Sequence, residues 1–240
     1  MGNGPSLSQT IEQYSDLLRS TDSMAVNFAA NAEEFTQLKP KYYILADPHF
    51  FTNREDVNVA RLYDNLSKVD WPMTLLLPTA TRHNTPAIDN SNITIQYYNA
   101  VGAEGFRWLT DIAYKSKRAM PRPRNVLIPA IMTSIQMGYK EIYVVGADHS
   151  WTKTLSVDND NNVVSIQPHF YKEDTREIQR IRKEYLNHPL HSVLQSMVLA
   201  FRAYHLIDDY ARRHSISIVN ATPESFIDAF TRGSLDAINK

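Results

Sequence analysis

Gly2-Asn3-Gly4-Pro5-Ser6-Leu7 opens the chain, and the fold is read outward from it. Glycines at alternate positions let a backbone turn tightly and approach a ligand closely, and Pro5 presets the first turn of a helix. A helix over about 7–18 turns its free N–H groups and positive dipole end toward this loop, which makes an anion site. Asn3 adds an amide that both donates and accepts hydrogen bonds. As a nucleotide-phosphate loop, the stretch offers Gly2, Asn3, Gly4 and Ser6 as contacts. An ordinary tight turn and helix start would carry the same pattern.

Composition bounds the rest. The chain has 240 residues and is 43% apolar, enough for one α/β domain with a full core. A net charge of −1 points to neither nucleic acid nor membrane, and the chemistry is compatible with an oligomer. There is no cysteine, so disulfides and thiolate metal sites are excluded. No signal-peptide pattern and no membrane-length apolar run is present, so the expected location is cytoplasmic.

Short apolar runs alternate with helical periodicity, the pattern of a parallel sheet with crossover helices. Strands are expected over 23–28, 41–46, 73–77, 93–98, 141–145 and 216–219. Helices are expected over 54–68, from Phe106 with Leu109, Ile112 and Ala113 at helical spacing, and over 124–137 with Asn125 as cap. The longest is expected after His191, with Leu194, Met197, Val198, Phe201, Tyr204 and Ile207 on one face, and a short one closes the chain over 225–230. The fold class is therefore α/β, Rossmann-like, a mostly parallel sheet flanked by helices. Ligands bind at the carboxyl ends of such strands, which brings Asn27, Asp47, Thr81 and Asp148 forward as contacts.

The stretch 150–174 has few periodic apolar residues and reads as a polar insertion over the strand ends, a lid near 150–190. Asp158-Asn159-Asp160-Asn161-Asn162 mimics a calcium loop, but Val163 stands where Gly is needed and His169 where Glu is needed, so it reads as a hairpin turn. Asp148-His149 lacks a paired ligand, and no metal site is assigned. The basic cluster Lys115, Lys117, Arg118, Arg122 and Arg124 is either a solvated face, a guide for an acidic substrate, or a contact with a phosphate-rich membrane surface.

The opening hexapeptide resembles the Gly-x-Gly-Pro-Ser-Leu loop of the family-42 bacterial sialyltransferases, and of a broader group with the archaeal 6-hydroxymethylpterin pyrophosphokinases and bacterial surface-polysaccharide proteins. Met137-Gly138-Tyr139-Lys140-Glu141-Ile142-Tyr143, followed by Gly146-x-Asp148, is similar to the sialyltransferase run Leu-Gly-Tyr-Lys-Glu-Ile-Tyr and Gly-x-Asp. In those families a buried strand precedes the glycine loop. Here nothing does: either the start codon is placed too far downstream, the favoured reading, or the fold tolerates a sheet lacking a central strand. The resemblance implies donor-nucleotide contacts at Asn27, Arg124 and Asn125, the last standing where the family has Ser. Asp47 departs from the family's Asn, so a ribose hydroxyl or a helix N-terminus is its expected partner.

The resemblance also implies chemistry. A histidine before the long helix would be the general base, which falls on His191 with Ser192 beside it; His169 and His188 stand behind it. Two lid tyrosines would assist the departing phosphate, and Tyr171 and Tyr185 are the available phenols. The implied activity is metal-independent transfer of a sugar from a nucleotide sugar of the CMP-sugar type to a glycan hydroxyl. Two alternatives stay open: a pterin pyrophosphokinase-like enzyme using ATP and magnesium, and an inactive nucleotide-binding or scaffold protein.

Overall fold

A computed structural model describes residues 1–85, 88–164 and 188–239. Four parallel strands, β1 (Met24–Val26), β2 (Tyr42–Ile44), β3 (Met73–Pro78) and β4 (Ile93–Tyr98), lie in the order β1-β2-β3-β4. Right-handed crossovers demand intervening chain on the sheet faces, and these residues supply it. α1 (Ser6–Ser20) precedes β1; α2 (Glu34–Leu38), α3 (His49–Thr52) and α4 (Val57–Ser67) fall between the strands. β4 is one edge, and its burial alternates as its sequence does. The chain is thus α/β with a parallel sheet flanked by helices, consistent with a Rossmann-like fold.

α5 (Arg107–Lys115) and α6 (Leu127–Met137) follow, then β5 (Glu141–Val144). α6 carries its near-continuous apolar run because almost every one of its residues is buried. Gly138 ends it at φ 100°, a left-handed value suited to glycine. A two-stranded hairpin, β6 (Ser156–Val157) and β7 (Val163–Val164), forms where the Asp158 turn was expected, with Asp158 Oδ1 accepting from Asp160 N and Asn162 N. The 24-residue α7 (Leu190–Arg213) leads to β8 (Ser217–Asn220), which pairs in parallel with both β5 and β9 (Thr231–Arg232). No helix among the described residues is long and apolar enough to cross a membrane.

Three expectations of detail are corrected. α5 forms, but its buried residues are Thr110 and Tyr114, while Phe106, Leu109 and Ile112 stand outward. Tyr114 is drawn in because its ring packs edge-on to Tyr210 and its hydroxyl finds the Ala103 carbonyl. On α7, Leu194 and Val198 are exposed, and Val193, Met197, Ala200 and Ala203 take the buried stripe, small residues permitting close approach to α6. No helix forms over 225–230. Ser225 Oγ instead donates to Ala147 O at 2.6 Å and accepts from Ile227 N at 3.2 Å, holding the segment as a turn against the β5 end.

Candidate functional site

The opening loop packs on the carboxyl end of β5. Gly2 N donates to Val145 O at 2.7 Å, and Gly4 N donates to Gly146 O at 2.8 Å. Neither glycine sits at positive φ; each is glycine because there is no room for more. A Cβ on Gly2 would lie 2.4 Å from Gly146 O, and one on Gly4 would lie 2.0 Å from Asp148 Oδ2. Gly146, at φ 64°, is crowded in turn by Gly2 O. The two segments that the sequence singles out separately are therefore one backbone-on-backbone joint.

That joint forms one wall of a cleft of about 400 Å³ at the carboxyl ends of β1, β2 and β5. Gly2, Asn3, Gly4, Asn27, Asp47, Arg124, Asn125 and Asp148 all line it. Ser6 stands behind the wall, its hydroxyl donating to Asp148 Oδ2 at 2.7 Å and its N–H to Oδ1 at 3.2 Å. Asp148 thus places its carboxylate at the positive end of α1. The anion that this helix start attracts is, in the protein as described, one of its own side chains.

Asp47 behaves similarly. Its Oδ1 accepts from His49 N at 2.9 Å and caps α3, one of the two partners expected for it. Asn27 has φ 48°, a region that asparagine tolerates better than most residues, and its carbonyl accepts from the Tyr43 hydroxyl. Asn125 caps α6 as expected, its Oδ1 accepting from Leu127 N at 2.9 Å and Ile128 N at 3.4 Å. Arg124 is exposed and is the only cationic side chain among the cleft's described lining residues.

Three of these residues share a further property. Asn3 Oδ1, Asn27 Oδ1 and Asn125 Nδ2 are buried, and each lacks a hydrogen-bond partner among the described residues. The orientations of Asn3 and Asn125 follow from what their other amide atoms do: Asn3 Nδ2 donates to Val26 O at 3.1 Å, and Asn125 Oδ1 is held by its three donors. A buried, unpaired polar atom costs on the order of 1–3 kcal/mol, so three around one cleft are costly unless something arrives to pair with them.

Sequence reasoning weighed His149 only as a metal ligand, set Tyr204 only on the apolar face of the long helix, and passed over Trp151. Tyr204 is fully buried on α7, and its hydroxyl donates to Asn125 Oδ1 at 2.9 Å. Its one proton being so used, the 2.6 Å contact with His149 Nε2 makes the imidazole the donor there and leaves the lone pair on Nδ1. His149 lines the cleft at φ 50°, with Trp151 stacked at 4.1 Å between ring centroids. The protein around it disfavours the charged form and pushes its pKa down to about 3, so the ring is neutral at pH 7. The signal in the sequence was slight: a tyrosine within an apolar helical stripe must send its hydroxyl somewhere.

His191 and Ser192 begin α7 in exposed positions, and the His191 ring contacts its neighbour Ser192 at 3.3 Å. His191 is not among the residues lining the cleft. His169, Tyr171 and Tyr185 lie outside the described residues, as does most of the expected lid. No group of three or more histidine or carboxylate side chains among the described residues is placed to hold a metal ion. No family model, curated protein or solved structure matches the chain.

Proposed function

We propose that the cleft binds a nucleotide and that the chain is a transferase, in its narrower form a glycosyltransferase moving a sugar from a nucleotide sugar to a glycan hydroxyl. The observation that carries the reading is the trio of unpaired amide atoms on Asn3, Asn27 and Asn125 around one cleft at the strand ends. Amides that offer two acceptors and one donor suit the mixed edges of a nucleobase and ribose. Charge divides the cleft: Arg124 and the N-terminal end of α6 favour the phosphate, whereas Asp47 and Asp148 would repel it and accept from hydroxyls.

In the transfer, the acceptor oxygen bonds to the anomeric carbon while the bond from that carbon to the phosphate oxygen breaks, its electron pair leaving with the phosphate. The acceptor proton needs a base. His149 supplies a neutral imidazole in the cleft, its tautomer held by Tyr204 with Nδ1 free to accept. A phosphate nearby favours the imidazolium and raises its basicity at the moment of need. His191, the base implied by resemblance, stands outside the cleft lining and serves as the comparison. The reading needs no cofactor beyond the sugar nucleotide.

Two carboxylates on one cleft favour a second reading, phosphoryl or pyrophosphoryl transfer from ATP with magnesium. Both carboxylates are engaged on N–H groups, Asp148 with Ser6 and Asp47 with His49, which weighs against it. A thermal-shift panel with CMP, CDP, UDP, GDP and ATP, with and without magnesium, separates the two. A magnesium-independent shift with a pyrimidine nucleotide supports sugar transfer, and a shift only with ATP and magnesium supports the kinase. No shift in folded protein sinks both.

The outward face of α5 fits a lipid-borne acceptor. Phe106 and Trp108 are 76% and 66% exposed, Leu109 and Ile112 stand beside them, and Lys115, Lys117 and Arg118 make no ion pair among the described residues. An apolar stripe with an interfacial tryptophan and unpaired cations is what an anionic membrane surface receives.

A further inference from the structure

The seven strands of the two larger sheets leave a place for an eighth. β1 ends one sheet and β5 ends the other; the two edges face each other without pairing. Between them lies a cavity of about 260 Å³ with Leu17 and Leu18 of α1 on one face, and Leu127 and Ile131 of α6 on the other. Tyr139, two residues before β5, reaches across its far end to Asp22, before β1.

The chain's first residues already behave as the end of a strand in that place. Met1 N donates to Met24 O at 2.8 Å on the β1 side, and the next residue's N–H, on Gly2, donates to Val145 O at 2.7 Å on the β5 side. Consecutive residues bonding to opposite neighbours is the signature of a strand held between two parallel partners. The other edge of β5 confirms the alternation. Lys140 O and Val144 O accept from Ser217 N and Ala221 N, so Glu141 and Tyr143 turn their backbone groups toward the cavity. In the register set by that bond, Gly2 lies opposite Gly146 and Met1 opposite Val145, so the four residues before Met1 would run beside Glu141–Val144.

We propose that this cavity is a strand-docking site whose occupant is an extended, apolar, β-branched segment of about four residues joined in cis to the Met1 nitrogen. Both its faces would be apolar, because side chains of α1 meet one and those of α6 the other. Its pairing would unite β1–β4 with β5, β8 and β9 in one continuous parallel sheet and anchor the Gly2–Gly4 loop from behind. Consistent with this, the Met1 amino group is shut away from water, and its pKa is pushed down to about 5.

The test compares full-length chains extended directly before Met1 by Ile-Val-Ile-Val, Ile-Pro-Ile-Pro or Gly-Ser-Gly-Ser, each exposed by protease cleavage of a tag. All three remove the charge from the Met1 nitrogen, so that effect cancels. Ile-Val-Ile-Val should raise Tm above Gly-Ser-Gly-Ser by more than about 5 °C and slow amide exchange across Glu141–Val144 at least tenfold. Ile-Pro-Ile-Pro keeps the apolar surface but lacks alternate N–H donors, and should do neither. Thr-Val-Thr-Val, less prone to aggregation, repeats the first arm. Equal Tm for the valine and proline chains, or unchanged exchange at Glu141 and Tyr143, would overturn the proposal. Protection that appears only with concentration-dependent dimers would also overturn it, by assigning the strand to a second copy.

Discussion

Gly4 and Asp148 sit so close that a single added carbon on the glycine would stand 2.0 Å from the carboxylate. The contact welds the first turn of the chain to the end of β5, with Gly2 pressed still harder on backbone. Gly2→Ala drives its Cβ to 2.4 Å from the Gly146 carbonyl oxygen, which as backbone cannot turn away, and presses on Leu127 Cδ1 at 3.3 Å. In Gly4→Ala the added Cβ lies 2.8 Å from that carbonyl oxygen and meets chiefly the Asp148 side chain, which can rotate if it gives up Ser6. Both should destabilise, by about 1–3 kcal/mol, with Gly2→Ala the larger. Chemical denaturation of the two variants measures it, and wild-type stability in Gly2→Ala would refute the crowding argument.

Asn27→Gly should separate ligand binding from stability. Glycine accepts φ 48° freely and deletes the unpaired buried Oδ1. The unliganded Tm should stay within about 2 °C of wild type, while the nucleotide-induced shift falls. An undiminished shift would remove Asn27 from the site.

Asn125→Ala should do both kinds of damage. It removes the cap of α6 and the acceptor for the buried Tyr204 hydroxyl, costing about 2–4 kcal/mol by the two losses together. Asn125→Asp keeps those acceptors but replaces the free donor with charge, so it should retain most of the stability and lose the nucleotide. Tm with and without nucleotide, measured on both variants, tests the pair.

Stability should climb with pH in two overlapping steps. The Met1 amino group, lowered from 8.0 to about 5, and His149, lowered from 6.5 to about 3, are both bases kept neutral by folding. Between about pH 5 and 8 the unfolded chain holds a proton at its amino terminus that the folded chain does not, so stability is lost as pH falls through that window. His149 repeats the loss between about 6.5 and 3. The slope is at most about 1.4 kcal/mol per pH unit for each group. Acetylating the amino terminus should flatten the upper step and leave the lower one, which denaturation midpoints between pH 4 and 9 will show.

If the transfer reading holds, His149→Ala should lower kcat by roughly 10²–10⁴-fold while His191→Ala changes it less than tenfold. The reverse ranking would move the base to the start of α7. Separately, Trp108→Ser with Ile112→Ser should abolish co-sedimentation with anionic vesicles and leave nucleotide binding intact; equal sedimentation would dismiss α5 as a membrane face.

Most of the architecture was legible because its signals are local. Asn125 before an apolar run, Gly138 after it, and short apolar runs between stretches of helical periodicity marked helix and strand positions to within a few residues. The burial faces of α5 and α7 were misjudged because periodicity finds a stripe but not which side meets the core. On α5 the buried side carries Thr110 and Tyr114, held by specific contacts rather than by hydrophobicity. At the cleft, residues at strand ends were found by rule. His149 was not, because its place depends on Tyr204, 55 residues further on. The role of the glycines was legible in kind and not in object: they admit another piece of backbone.

Ser6 and Asp148 are 142 residues apart in sequence, so the two halves of this wall of the cleft are made at different times. During synthesis, the opening loop emerges long before the turn it must meet, and waits through the formation of β1–β4. Closing so long a loop is slow relative to local structure, which places completion of the cleft late in folding. A nascent chain stopped before Gly146 would carry every glycine and asparagine of its opening segment and still have no place to put a ligand.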